Sequence, residues 1–138
     1  MDYSNVQIAE LLVRVFAGIL FMLQGYDKLF HVKMSGVINT FVQDADRYNI
    51  PRPLLNLVAY YTSIVEFIGG ILLILGIFTS YTLYALGLDL ILVGFAFTYM
   101  SPMWDMKFVF PRLAMVVTLL LMPEEYNYFS LDQLLTKK

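Results

Sequence analysis

Four stretches of the chain, at positions 8–30, 54–78, 81–100 and 108–122, are apolar almost throughout, and the polar residues collect between them. A helical membrane crossing needs about 20 such residues, with a range of roughly 17–25. The first three stretches meet that length. The fourth is short and reaches it only if positions 102–107 add a turn. Helices are the expected form, because a chain this size has neither the length nor the alternating pattern for a lipid-facing barrel. Only Thr79 and Ser80 separate the second stretch from the third, which predicts an antiparallel helical hairpin. Between the first two stretches, Val37, Ile38, Phe41, Val42 and Tyr48 recur at helical spacing, with Asn39, Gln43, Asp44, Asp46 and Arg47 on other faces. Ser35 is placed to cap that helix, and Pro51 and Pro53 end it. The pattern suits a helix lying on the membrane surface. Near the end, Ser130 followed by Gln133 forms a capping box for a short terminal helix. The reading is one all-α domain over 1–138: a transmembrane antiparallel four-helix bundle with an interfacial helix in its first loop.

Composition strengthens this picture. Of the 138 residues, 59% are hydrophobic and 14% charged, with a mean hydropathy of +0.69, whereas soluble domains carry about a quarter charged residues. The lipid bilayer is therefore the expected solvent. The first apolar run is too long for a cleaved leader and lacks a small-x-small site, so it reads as a retained span. Tyr81, Tyr84, Tyr126 and Tyr128 fall near the N-terminal side of the bilayer, and Tyr60, Tyr61, Tyr99 and Trp104 near the opposite side, as interfacial aromatics do. Lys28, Lys33, Arg47, Arg52 and Lys107 gather on that opposite side, against Lys137 and Lys138 near the termini. The positive-inside rule then places the opposite side in the cytoplasm of a multi-pass protein, with a bacterial inner membrane as the expected location. A net charge of -2 without any basic run argues against nucleic acid. The absence of cysteine excludes disulfides, thiolate nucleophiles and iron–sulfur ligation by this chain. The single His31 has no second histidine at ligand spacing, so no metal site is expected.

Each apolar stretch nevertheless carries ionisable residues: Arg14 and Lys28, Glu66, Asp89, and Arg112. An unpaired charge at the bilayer centre costs about 2.5–3.5 kcal/mol on insertion scales, so these groups should face inward and meet partners. At ~1.5 Å per residue, counted from the ends of the stretches, Arg14 lies about 9 Å deep, Asp89 about 12 Å and Glu66 about 18 Å, with Gln24 and Arg112 near 24 Å. On that count Arg14 suits Asp89, and Glu66 is answered by Arg14 or Arg112. At 100° per residue, Arg14, Gly18, Phe21, Gly25 and Lys28 share one face of the first helix, and Ala59, Glu66, Gly70 and Leu73 share one face of the second. Small residues on a charged face let helix backbones approach. The expected buried polar network is thus Arg14, Glu66, Asp89 and Arg112. The candidate ligand-binding residues are Gln24, Lys28, Glu66, Trp104 and Arg112, whose surplus of donors toward the opposite side suits a polar head. The competing reading treats the same charges as devices that fix helix register, with Lys28 snorkelling to the headgroups.

At these residues the chain resembles the DoxX family of small four-helix membrane proteins. The resemblance rests on "RVFAGILFMLQGYDKLF", "VEFIGGILLILGIFT", the "IPRPL" entry to the second span and the terminal "SLDQLL". It departs from the family pattern at Ser80, where a basic residue is usual, and at Arg112, where asparagine is frequent. The family includes the small membrane subunit of thiosulfate:quinone oxidoreductase and relatives associated with redox maturation and oxidative stress. The resemblance implies an accessory or anchoring subunit of a membrane-associated oxidoreductase complex, with other subunits as partners and a quinone-like carrier as the candidate ligand. No covalently bound cofactor is implied, and no nucleophile–base pair marks a catalyst acting alone; the catalytic residues are unassigned. A non-redox assembly subunit and an oligomeric small-molecule carrier are the alternatives.

Overall fold

The computed structural model describes residues 3–100 and 106–136. It is all-α, with no strand among the described residues. Helix α1 (Tyr3–Tyr26) runs into a π-helical turn at Asp27–His31, followed by α2 (Lys33–Arg47), α3 (Arg52–Leu75), α4 (Thr79–Met100), α5 (Met106–Leu121), a 3₁₀ turn at Glu124–Tyr126 and the short α6 (Leu131–Thr136). α1 packs on α3, α3 on α4, α4 on α5, and α5 returns to α1. α2 lies against α3 and the π turn.

The distribution of polarity is inverted relative to a water-soluble protein. Arg14, Ser63, Glu66 and Asp89 are 0–1% exposed, while Leu12, Leu57, Ile91, Phe95 and Leu121 are 61–79% exposed. Such a surface is stable only where the solvent is hydrocarbon. Among the described residues three helices are long and apolar enough to cross a membrane, and the apolar part of α5, Val109–Leu121, is shorter. The protein is an integral membrane protein.

Glycines set the α1–α3 approach. A methyl on Gly25 would collide with the backbone of Phe67, and one on Gly70 with the backbone of Met22. One on Gly18 would come within 2.9 Å of the Gly70 carbonyl oxygen. These pairings fix an antiparallel register in which the end of α3, at Leu75, stands about level with residue 17 of α1. The two helices are therefore offset by roughly 20 Å at the N-terminal side. α4 and α5 are also antiparallel, Gly87 facing Val116 and Gly94 facing Val109. The apolar core comprises Ala17, Phe21, Leu73, Leu83, Leu86, Leu90, Val109, Val116 and Leu119.

The turn between α3 and α4 is built from two devices. Gly76 ends α3 at φ 67°, and the Gly76 and Ile77 amides close onto Leu73 and Leu72 carbonyls, the left-handed terminator that glycine adopts without strain. Asp132 then caps α4 from the far end of the chain. Its carboxylate accepts from the Phe78 and Thr79 amides, both at 2.9 Å, and from the Thr79 hydroxyl at 3.0 Å. Ser130 caps α6 through the Gln133 amide at 3.3 Å, but the Gln133 side chain reaches the Glu124 carbonyl rather than turning back, so only half of the expected capping box forms. α2 begins at Lys33, two residues before the expected cap Ser35.

Burial alone would raise the Asp132 carboxyl, but the Thr79 and Phe78 amides, the Thr79 hydroxyl and the nearby Arg14 charge outweigh it and hold the group below its ordinary range. A carboxyl depressed on folding contributes stability above its unfolded value and loses it as pH falls through the folded one. Docking of α6 should therefore weaken below about pH 4. Asp132→Asn should weaken it at neutral pH by about 1 kcal/mol, the usual worth of a helix cap. Hydrogen exchange at the Phe78 and Thr79 amides, followed from pH 5 to pH 3, measures both. A pH-independent exchange rate, after correction for intrinsic chemistry, would remove Asp132 as the cap.

Candidate functional site

Among the described residues two polar groups lie inside the apolar shell. The first surrounds Arg14. Its Nε donates to Glu10 Oε1 at 2.8 Å, one helical turn earlier. Nη1 donates to the Leu73 and Ile74 carbonyls at 2.9 and 3.1 Å, and Nη2 to the Phe129 carbonyl at 2.9 Å. Carbonyls in the last turn of a helix lack intrahelical donors and favour a cation, so Arg14 plugs the end of α3 while tying α1 to the C-terminal segment. The role this supports is structural, because one fully buried guanidinium joins α1, the end of α3 and the C-terminal segment.

The second group lies between α1, α3, α4 and α5. Lys28 Nζ meets Glu66 Oε2 at 2.6 Å, with the Glu66 side chain 1% exposed and that of Lys28 21%. Lys28 stands in the π turn, which the Val32 amide closes onto the Asp27 carbonyl at 2.9 Å; such turns recur at functional sites. Asp89 of α4 is fully buried, and neither of its carboxylate oxygens has a hydrogen-bond partner. It is in electrostatic reach of Glu66, Lys28 and Arg112, and Arg112 of α5 in turn senses both carboxylates. Gln24 Oε1 is buried and also without a partner. The hydroxyls of Thr62 and Ser63, one turn from Glu66, both donate to the Ala59 carbonyl of their own helix. The cluster thus balances two carboxylates against two cations, yet leaves buried acceptors empty.

The model of the family described as DoxX matches residues 9–100, two-thirds of the chain. The chain belongs to the DoxX family. No curated protein and no solved structure matches it. The DoxX match holds Gln24, Lys28, Glu66 and Asp89, whereas Arg112 and the Asp132 cap lie beyond it.

Within this DoxX chain the structure brings together Lys28, Glu66, Asp89 and Arg112, with Gln24 on α1 one turn before Lys28, but ties Arg14 to other partners. The hydrogen bond to Glu66 comes from Lys28, with Arg112 acting on it through charge alone, and Arg14 is paired with Glu10 and not with Asp89. Lys28 does not snorkel away. Of the three cations expected to supply donors, Arg14 is engaged elsewhere, and Asp89 and Gln24 hold buried acceptors without partners. Trp104 lies outside the described residues. Tyr99, expected beside it, packs on Tyr48 of α2 with ring centroids 5.0 Å apart. Glu10 and Asp132 are the residues that sequence reasoning missed. The Glu10–Arg14 spacing of four was a usable signal; nothing local marked Asp132.

Proposed function

We propose that this protein is a transmembrane four-helix bundle of α1, α3, α4 and α5, with α2 along the cytoplasmic interface, that serves as the membrane subunit of an oxidoreductase complex and holds the polar head of a quinone-like carrier at the central cluster. The observation that carries the reading is Asp89: a fully buried carboxylate with both oxygens unpartnered, in a helix long and apolar enough to span. Ionisable groups inside a membrane are expensive, and their default explanation is a site. Buried polar atoms without partners point the same way.

The donor set fits such a head in both redox forms. The hydroxyl of a reduced ring would find acceptors in Asp89 and Gln24. The carbonyl of an oxidised ring would find cationic donors in Lys28 and Arg112, each already biased toward the cluster by a carboxylate. The ring supplies two-electron chemistry; the chain holds, orients and offers proton acceptors beside it. Membership of a family that includes a quinone-linked subunit supports the same reading.

The test is retention of carrier. Protein purified in native lipid nanodiscs is extracted and assayed by mass spectrometry for quinone and quinol. Wild type should carry it, and Asp89→Asn, which keeps shape and adds no charge, should lose at least about tenfold, the effect of one hydrogen bond to a charged group. Gln24→Leu should lose less. Carrier retained equally by wild type and Asp89→Asn, or by neither, would remove the cluster as its site and leave an anchoring subunit.

A further inference from the structure

A cavity of about 620 Å³ opens at the other end of the molecule, between α4, α5 and the C-terminal segment. Its volume is in the range of small-ligand sites. Glu10, Glu124 and Asp132 line it, and no basic residue does among the described residues. Arg14, the nearest cation to Glu10, is spent on Glu10 Oε1 and three carbonyls. Asp132 is engaged by the start of α4, and Glu124 Oε1 accepts from Ser80 at 3.1 Å. What remains is Glu10 Oε2, on a residue 3% exposed, and Asn127 Oδ1; both are buried, both line the cavity, and neither has a partner. Every orphaned atom here is an acceptor.

Buried acceptors demand donors, and an acidic lining favours a donor that carries positive charge. A primary ammonium supplies three N–H groups and one charge. Tyr81 and Tyr84, also in the lining and well exposed, offer ring faces for a cation. Leu83, Leu119 and Leu120 complete an apolar wall, of which Leu120 is exposed at the molecule's apolar surface. A small soluble amine would leave that wall bare, whereas an amphiphile would cover it. We propose that this cavity binds a membrane amphiphile through a primary ammonium head, as an ethanolamine phospholipid presents, with Glu10 and Asn127 as the acceptors.

Native mass spectrometry of protein released from nanodiscs containing equal phosphatidylethanolamine, phosphatidylcholine and phosphatidylglycerol reads the outcome. Phosphatidylethanolamine should be retained over phosphatidylcholine by roughly tenfold, since the methylated head has the charge but no N–H donor. Leu120→Trp fills the cavity from a position 39% exposed, so it should abolish retention at unchanged fold. Glu10→Gln should do the same, with Leu120→Trp as the arbiter if the loss of charge beside Arg14 unfolds it. Asp89→Asn, at the distant cluster, should retain the lipid. Soluble ethanolamine should not displace it. Equal retention of the three lipids, retention by Leu120→Trp, or displacement by soluble ethanolamine would each overturn the assignment.

Discussion

Arg14→Met should lower thermal stability in detergent by about 3–5 kcal/mol, the range for removing one partner of a buried ion pair. Four acceptors lose a donor at once: the Glu10 carboxylate and the Leu73, Ile74 and Phe129 carbonyls. Three segments of chain are held through that one guanidinium, which is fully buried. Arg14→Lys should recover only part, because an ammonium keeps the charge but cannot span a fork of acceptors. Adding Glu10→Gln to Arg14→Met should recover another part by neutralising the stranded carboxylate. A melt of Arg14→Met close to wild type would mean that the guanidinium is not holding these segments, and no recovery with Glu10→Gln would mean that Glu10 is not its partner.

The helices were readable from sequence because the bilayer imposes a length and a polarity that a window of residues reveals. Pairing between helices was not. The depth count placed the ends of the apolar stretches flush with one another. The close backbone approach at Gly18, Gly25 and Gly70 instead slides α1 past α3, so that Lys28 stands level with Glu66 and Arg14 meets the end of α3. Apolar periodicity cannot report this offset, since hydrocarbon accepts a leucine at any depth. The faces survived, because Arg14, Gly18, Phe21 and Gly25 do turn inward, but a face fixes an angle and leaves height open. Asp132 was illegible for a different reason. It acts on an element 53 residues away in the chain, and its role exists only once α6 has docked. The central site was half legible: a carboxylate in an apolar run announces itself, whereas which oxygens stay empty depends on how the helices mesh.

Lys28 and Glu66 should be energetically coupled. Glu66 is 1% exposed, and its one hydrogen bond to a cation is the 2.6 Å contact with Lys28. Lys28→Met therefore strands a buried carboxylate and should destabilise by about 3–5 kcal/mol. It does so beside Asp89, so two acids would be left facing Arg112 alone. Glu66→Gln should cost less, because Lys28 is 21% exposed on its side chain and can turn toward headgroups. The double variant Lys28→Met with Glu66→Gln should be more stable than Lys28→Met by itself, which is the signature of a pair. Arg14→Gln with Glu66→Gln makes the contrasting cycle: the two residues share no partner in the structure, so their effects should add within about 0.3–0.5 kcal/mol. Unfolding in a fixed detergent, read by circular dichroism for all five variants and wild type, decides between them. Coupling in the arginine cycle and additivity in the lysine cycle would reverse the α1–α3 register. The same result would move the empty acceptors away from Lys28, and the carrier site with them.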